Sequence, residues 1–160
     1  MVKTIRFFSL SLLILLFLNG CNSNDANEDL FEFKGSFVGD NNAVGSIVNQ
    51  LPSGEYLHGF ELKTKEEPYG IILNYEGIEA DEIEKKDKET AIYNATFLFA
   101  LVQNAEWVTF HFDNREYKVT KEELQDWYGK ELSDFTSEDE LRKITQKSLE
   151  DESKVNEFFK

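Results

Sequence analysis

The stretch Thr90–Asn104, TAIYNATFLFALVQN, is apolar on nearly all sides. A helix with no polar face has nothing to offer water, so it has to lie inside the fold, between a sheet and a further element. A membrane span is the competing explanation, and it fails on length. Ala91 to Val102 is shorter than the roughly 20 residues that cross hydrocarbon, and Asn94 interrupts it.

The flanking segments supply the rest of such a fold. Asp40 precedes NNAVGSIVNQL, in which Val44, Ile47, Val48 and Leu51 recur at helical spacing, and Pro52 stops the pattern. After the turn Pro52-Ser53-Gly54, the residues Tyr56, His58, Phe60 and Leu62 alternate as in a half-buried strand, which places His58 among aromatics. KEEP turns the chain into a partner strand with Tyr69, Ile71, Leu73 and Tyr75 on one face. Two strands joined by a short polar turn pair antiparallel most simply. Beyond the apolar helix, Val108, Phe110 and Phe112 alternate inward, Asn114 marks a turn, and Glu116-Tyr-Lys-Val completes a second hairpin.

The C-terminal third reads as helices. Thr120 with Glu123 and Ser137 with Glu140 have capping-box spacing, and Gly129 stands where a helix closes. Leu124, Trp127 and Tyr128 form one buried face, Leu141, Ile144 and Leu149 another, and Val155, Phe158 and Phe159 a final turn. The expectation is an α+β fold: about four antiparallel strands in two hairpins, packed against a central apolar helix, with additional N- and C-terminal helices. Residues 30–160 suffice for one core and not two, so they are expected to form a single domain.

The N-terminus carries an address. Lys3 and Arg6 precede an uncharged run from Phe7 to Leu18, and Asn19-Gly20-Cys21 ends it. The run is too short to span a bilayer and reads as a signal sequence, residues 1–20. The protein's one cysteine at that junction resembles the lipobox of bacterial lipoproteins, which implies lipidation of Cys21 and anchoring at the extracytoplasmic face of the cell membrane. A lone thiol in an oxidising compartment has no internal partner, and a thioether to lipid removes the liability. Residues 21–29 are polar and form a flexible tether. Loss of Lys3 and Arg6 with residues 1–20 takes the net charge from −14 to −16, which excludes a nucleic-acid-binding surface.

Catalytic and metal patterns are sparse. His58 and His111 lack zinc spacing, and no second cysteine joins them. Asp113 shares a strand face with His111 and is the candidate to orient it, without an evident nucleophile. Asp40-Asn41-Asn42 opens like a calcium loop, but Val44 and Leu51 occupy positions where an EF-hand needs oxygen ligands, so capping is the better explanation. The acidic run Glu76–Glu89 has interleaved lysines and reads as a solvated surface rather than a cation site. No cofactor or metal is expected. The turn Lys65–Gly70 is the most distinctive surface element, with Pro68 and Gly70 setting its geometry and Tyr69 available as an anchor.

Four segments together resemble a family of bacterial domains of unknown function. They are Phe37-Val-Gly-Asp-Asn-Asn-Ala-Val-Gly, Glu61-Leu-Lys-Thr-Lys-Glu-Glu-Pro-Tyr-Gly, Asn94-Ala-Thr-Phe-Leu-Phe-Ala-Leu and Trp127-Tyr-Gly-Lys-Glu-Leu. The family occurs mostly in Firmicutes as small lipoproteins, and similar domains sit on the extracellular side of membrane metallopeptidase receptors of the beta-lactam-sensor type. The resemblance covers residues 35–135, implies an envelope-exposed module, and supplies no catalytic residues. The expected function is a non-catalytic binding or sensing module that engages an envelope protein or small ligand through Asp40, Asn41, Glu67, Pro68, Tyr69 and Gly70. The alternatives are an envelope hydrolase using His111 and Asp113, and a structural lipoprotein with no ligand.

Overall fold

The computed structural model describes residues 29–78 and 83–160. Cys21, the signal sequence and nearly all of the tether lie outside the described residues, as do residues 79–82 of the acidic run. In chain order the elements are α1 (Asn41–Gln50), β1 (Leu57–Lys63), β2 (Gly70–Tyr75), α2 (Ile83–Leu101), β3 (Trp107–Phe112), β4 (Arg115–Thr120), α3 (Lys121–Tyr128), α4 (Glu138–Leu149) and α5 (Glu152–Phe158). Among the described residues no helix is long and apolar enough to cross a membrane.

The fold is α+β, as expected, with one four-stranded sheet in the order β1-β2-β3-β4. The expectation that all strands are antiparallel is corrected. β1 and β2 pair antiparallel, as do β3 and β4, but the central pair β2–β3 is parallel. The cause is α2. A helix of 19 residues is about 28 Å long. It carries the chain back along a strand of six residues, so β3 sets out from the same end as β2.

Register places Ile71, Val108 and Val119 in one row and Leu73, Phe110 and Tyr117 in the next, all on one face. Ile71, Leu73, Val108, Phe110 and Val119 are completely buried. That face meets α2, where residues Thr90 to Leu101 are all buried. Asn94, a buried polar residue of this helix, donates from Nδ2 to the Pro52 carbonyl and the Tyr75 hydroxyl, both at 3.0 Å. Burial pushes the Tyr75 phenol well above its ordinary pKa, so it stays protonated.

Two further expectations fail for local reasons. β1 carries a bulge, with Leu57 opposite Tyr75 and Gly59 opposite Asn74, which leaves His58 as the extra residue. The bulge shifts the alternation so that His58 turns to solvent, its side chain 71% exposed and 3.8 Å from Glu76. Nor is the acidic run wholly solvated. α2 begins at Ile83 and rotates Asp87 into the interior, fully buried against Arg115 of β4.

The C-terminal helices and the segment joining α3 to α4 close over α2 through buried Leu124, Leu132, Phe135, Leu141 and Val155, all in the same core cluster as the sheet residues. Thr120 and Glu123 form the complete capping box on α3, and Gly129 ends that helix at φ +67°. Ser137 caps α4 from one side only, through Glu140 N at 3.3 Å; the Glu140 carboxylate reaches Lys130 instead.

Candidate functional site

The loop between β1 and β2 is held from across the sheet. Trp107, the first residue of β3, pairs with Gly70 of β2 and lies flat on it. A Cβ at Gly70 would sit 2.1 Å from the indole ring, so only glycine fits. The indole Nε1 donates to the Pro68 carbonyl at 2.9 Å, beside a cis Glu67–Pro68 peptide. The Tyr69 carbonyl accepts from Glu106 N at 2.9 Å. Loop and strand are thus tied at two consecutive carbonyls.

Glu67, Pro68 and Tyr69 form one wall of a groove of about 420 Å³, and Asn104 and Glu106 form the other. The second wall is itself braced, since Lys121 Nζ donates to the Gln103 carbonyl at 3.0 Å and to Glu106 Oε1 at 3.1 Å. Asn104 Oδ1 accepts from Val38 N at 2.8 Å, which brings the segment before α1 to the groove. The residue preceding Val38 is Phe37, the one large exposed hydrophobic among the described residues, at 54%. The groove thus presents a half-buried tyrosine and an exposed proline beside two carboxylates.

The expected site residues divide. Glu67, Pro68 and Tyr69 line the groove, and Gly70 supports it from beneath Trp107. Asp40 caps α1, its Oδ1 accepting from Ala43 N at 3.0 Å, and Asn41 is the exposed first residue of that helix. Their link to the groove runs through Val38 and Asn104. Phe37, Asn104, Glu106 and Trp107 were not picked out as site residues. The available signal was Trp107, a large aromatic at the outward position of an alternating strand.

The face of the sheet away from α2 carries Glu61, Lys63, Asn74, His111, Glu116 and Lys118. Lys63 lies 2.6 Å from Glu61 and holds its carboxyl below the ordinary range by hydrogen bond and charge. The dyad of His111 with Asp113 does not form. His111 Nδ1 faces Asn74 Oδ1 at 2.8 Å and Nε2 faces Glu116 Oε2 at 3.0 Å. Asp113 lies beyond the strand in the hairpin turn at φ +40°, where it cannot share the His111 face. Among the described residues, no group of three or more His, Cys, Asp or Glu is arranged to hold a metal ion.

These features define a small α+β domain whose mixed sheet presents a braced, groove-forming loop at one end. The chain belongs to the family described as Domain of unknown function (DUF4825), whose pattern matches residues 30–122. The match takes in the whole sheet, α1, α2 and the groove; α4 and α5 lie beyond it. No curated protein and no solved structure matches the chain.

Proposed function

We propose that this protein is a lipoprotein of the extracytoplasmic membrane face, anchored through Cys21, and that it acts there as a non-catalytic binding or sensing module. Its partner is an envelope protein or a small ligand that contacts the groove formed by Glu67, Pro68 and Tyr69, with Phe37 beside it. The observation that carries this reading is the double tie of the loop, Trp107 Nε1 to the Pro68 carbonyl and Glu106 N to the Tyr69 carbonyl. A pre-organised loop avoids the ordering cost of binding. The similarity to domains borne by receptors of the beta-lactam-sensor type supports sensing as the role.

Two experiments test it. Metabolic palmitate labelling should mark the wild type and not Cys21→Ser; equal labelling of both would refute the anchor. Pulldown from solubilised envelopes should recover partners with the wild type that a Glu67→Ala/Tyr69→Ala variant loses. Identical recoveries would refute the site.

A further inference from the structure

The two edges of the sheet are finished differently. β4 is flanked by helices: Arg115 reaches Asp87 of α2, and the Tyr117 ring meets Phe159, just past α5, at 5.0 Å. β1 has no such cover, and its extensive packing is with β2 alone. An antiparallel edge strand turns the N–H and C=O of alternate residues away from its neighbour. Among the described residues, no main-chain group outside β2 bonds to residues 59–63, so no further strand completes this edge.

The side chains of β1 are unfinished as well. Phe60 stands opposite Leu73, and Leu62 opposite Ile71. Both of those partners are fully buried, yet Phe60 and Leu62 stay only half-buried. On the other face Glu61 and Lys63 are 57% and 45% exposed and pair with each other at 2.6 Å. The strand thus offers an incompletely covered apolar row, a row with charges of both signs, and open main-chain groups between them.

That pattern is complementary to itself. A second β1 running antiparallel about a two-fold axis through Leu62 brings Leu62 onto the copy's Leu62. The same register sets Glu61 opposite the copy's Lys63, and Lys63 opposite the copy's Glu61. Other registers fail. Centring on Glu61 or on Lys63 opposes like charges, and centring on Phe60 leaves both charges unmatched. A slip of one residue sets the charged row of one copy against the apolar row of the other. A bulge and a lysine are common guards of a free edge. Here the lysine is matched by a glutamate at the spacing that repels a strand of other charge pattern and admits a copy.

We propose that β1 is a homodimerisation edge, on which a second copy of this chain adds its own β1 antiparallel and joins two four-stranded sheets into one of eight. Each Glu61–Lys63 pair is exchanged between copies, and the half-buried Phe60 and Leu62 gain apolar cover. The short strand, interrupted by the bulge at His58, makes this a weak and reversible contact. The proposal goes beyond the groove reading and does not depend on it.

The test uses the full chain in two differently tagged forms, co-expressed in one cell, with a photo-reactive side chain at exposed Thr64. A mixed-tag adduct at twice the chain mass is expected, and none when the reactive group stands at Lys118 on β4. Glu61→Lys in both copies, or Lys63→Glu in both, should lower the yield about tenfold, because two attractive pairs become repulsive. Glu61→Lys in one copy with Lys63→Glu in the other should restore it, which also shows that both variants fold. No mixed-tag adduct from position 64, equal adducts from position 118, or a mixed pair no better than the matched ones would overturn the proposal. So would an adduct from position 64 to a different protein in place of the copy.

Discussion

Replacing Arg115 with alanine should destabilise the fold strongly and in a pH-dependent way. Asp87 is fully buried on α2. Its Oδ2 accepts from Arg115 Nε at 2.7 Å and meets Nη2 at 2.6 Å, while Oδ1 has no hydrogen-bond partner among the described residues. The pair joins the start of the central helix to the start of β4, so the neighbouring backbone cannot easily open to hydrate a stranded carboxylate. Removing one member of a buried pair costs about 3–5 kcal/mol; with Arg115 30% exposed, the lower end, about 3 kcal/mol, applies. For a domain of this size that corresponds to a fall in Tm of about 12 °C. Desolvation raises the Asp87 pKa from its ordinary value of 3.8, and Arg115 opposes the rise. The raised folded-state pKa means that the group favours folding below pH 3.8 and loses that contribution as pH climbs through the folded value. Without Arg115 the folded pKa rises further. The deficit of Arg115→Ala should therefore be largest at pH 7 and shrink toward pH 4, where the buried carboxyl takes up a proton. Urea unfolding at both pH values measures it, with Asp87→Leu/Arg115→Met as a control that removes both charges and should recover most of the loss. A deficit under 0.5 kcal/mol, or one equal at both pH values, would refute the reasoning.

Other substitutions probe the remaining structural claims. Gly70→Ala should cost about 1–3 kcal/mol and shift Trp107 fluorescence to the red, because a Cβ must displace the indole; an unchanged spectrum would contradict the packing. Thr120→Ala should lose about 1 kcal/mol in a denaturant titration through the cap on α3. His58→Ala should be neutral within about 0.5 kcal/mol by thermal melting, since the bulge leaves that side chain in solvent. Phe37→Ser should leave Tm nearly unchanged while weakening partner capture.

The elements were legible where a periodic pattern had one physical cause. Val44, Ile47, Val48 and Leu51 are buried as their helical spacing requires, and Val108, Phe110 and Phe112 as their alternation requires. What escaped depended on contacts distant in sequence. Alternation in Tyr56–Leu62 does not announce that the strand will bulge at His58. The order strand, helix, strand permits either direction for β3, and the length of α2 decides it. Asp87 reads as one charge among many until Arg115, 28 residues on, is brought against it. The groove was half legible: Glu67, Pro68 and Tyr69 stand out as a turn, but their opposite wall, Asn104 and Glu106, carries no local signature. His111 and Asp113 show the converse, an i, i+2 spacing that fails because the strand ends between them.

The central claim is that partner contact runs through the groove, and a site-specific photo-crosslinker tests it most directly. The reactive side chain is placed in the full chain at position 37, at position 67, or at exposed Lys147 on α4, in envelopes of the living cell. The account predicts one common adduct from positions 37 and 67 that is missing from position 147. The same adducts from all three positions, or none from 37 and 67, would contradict it.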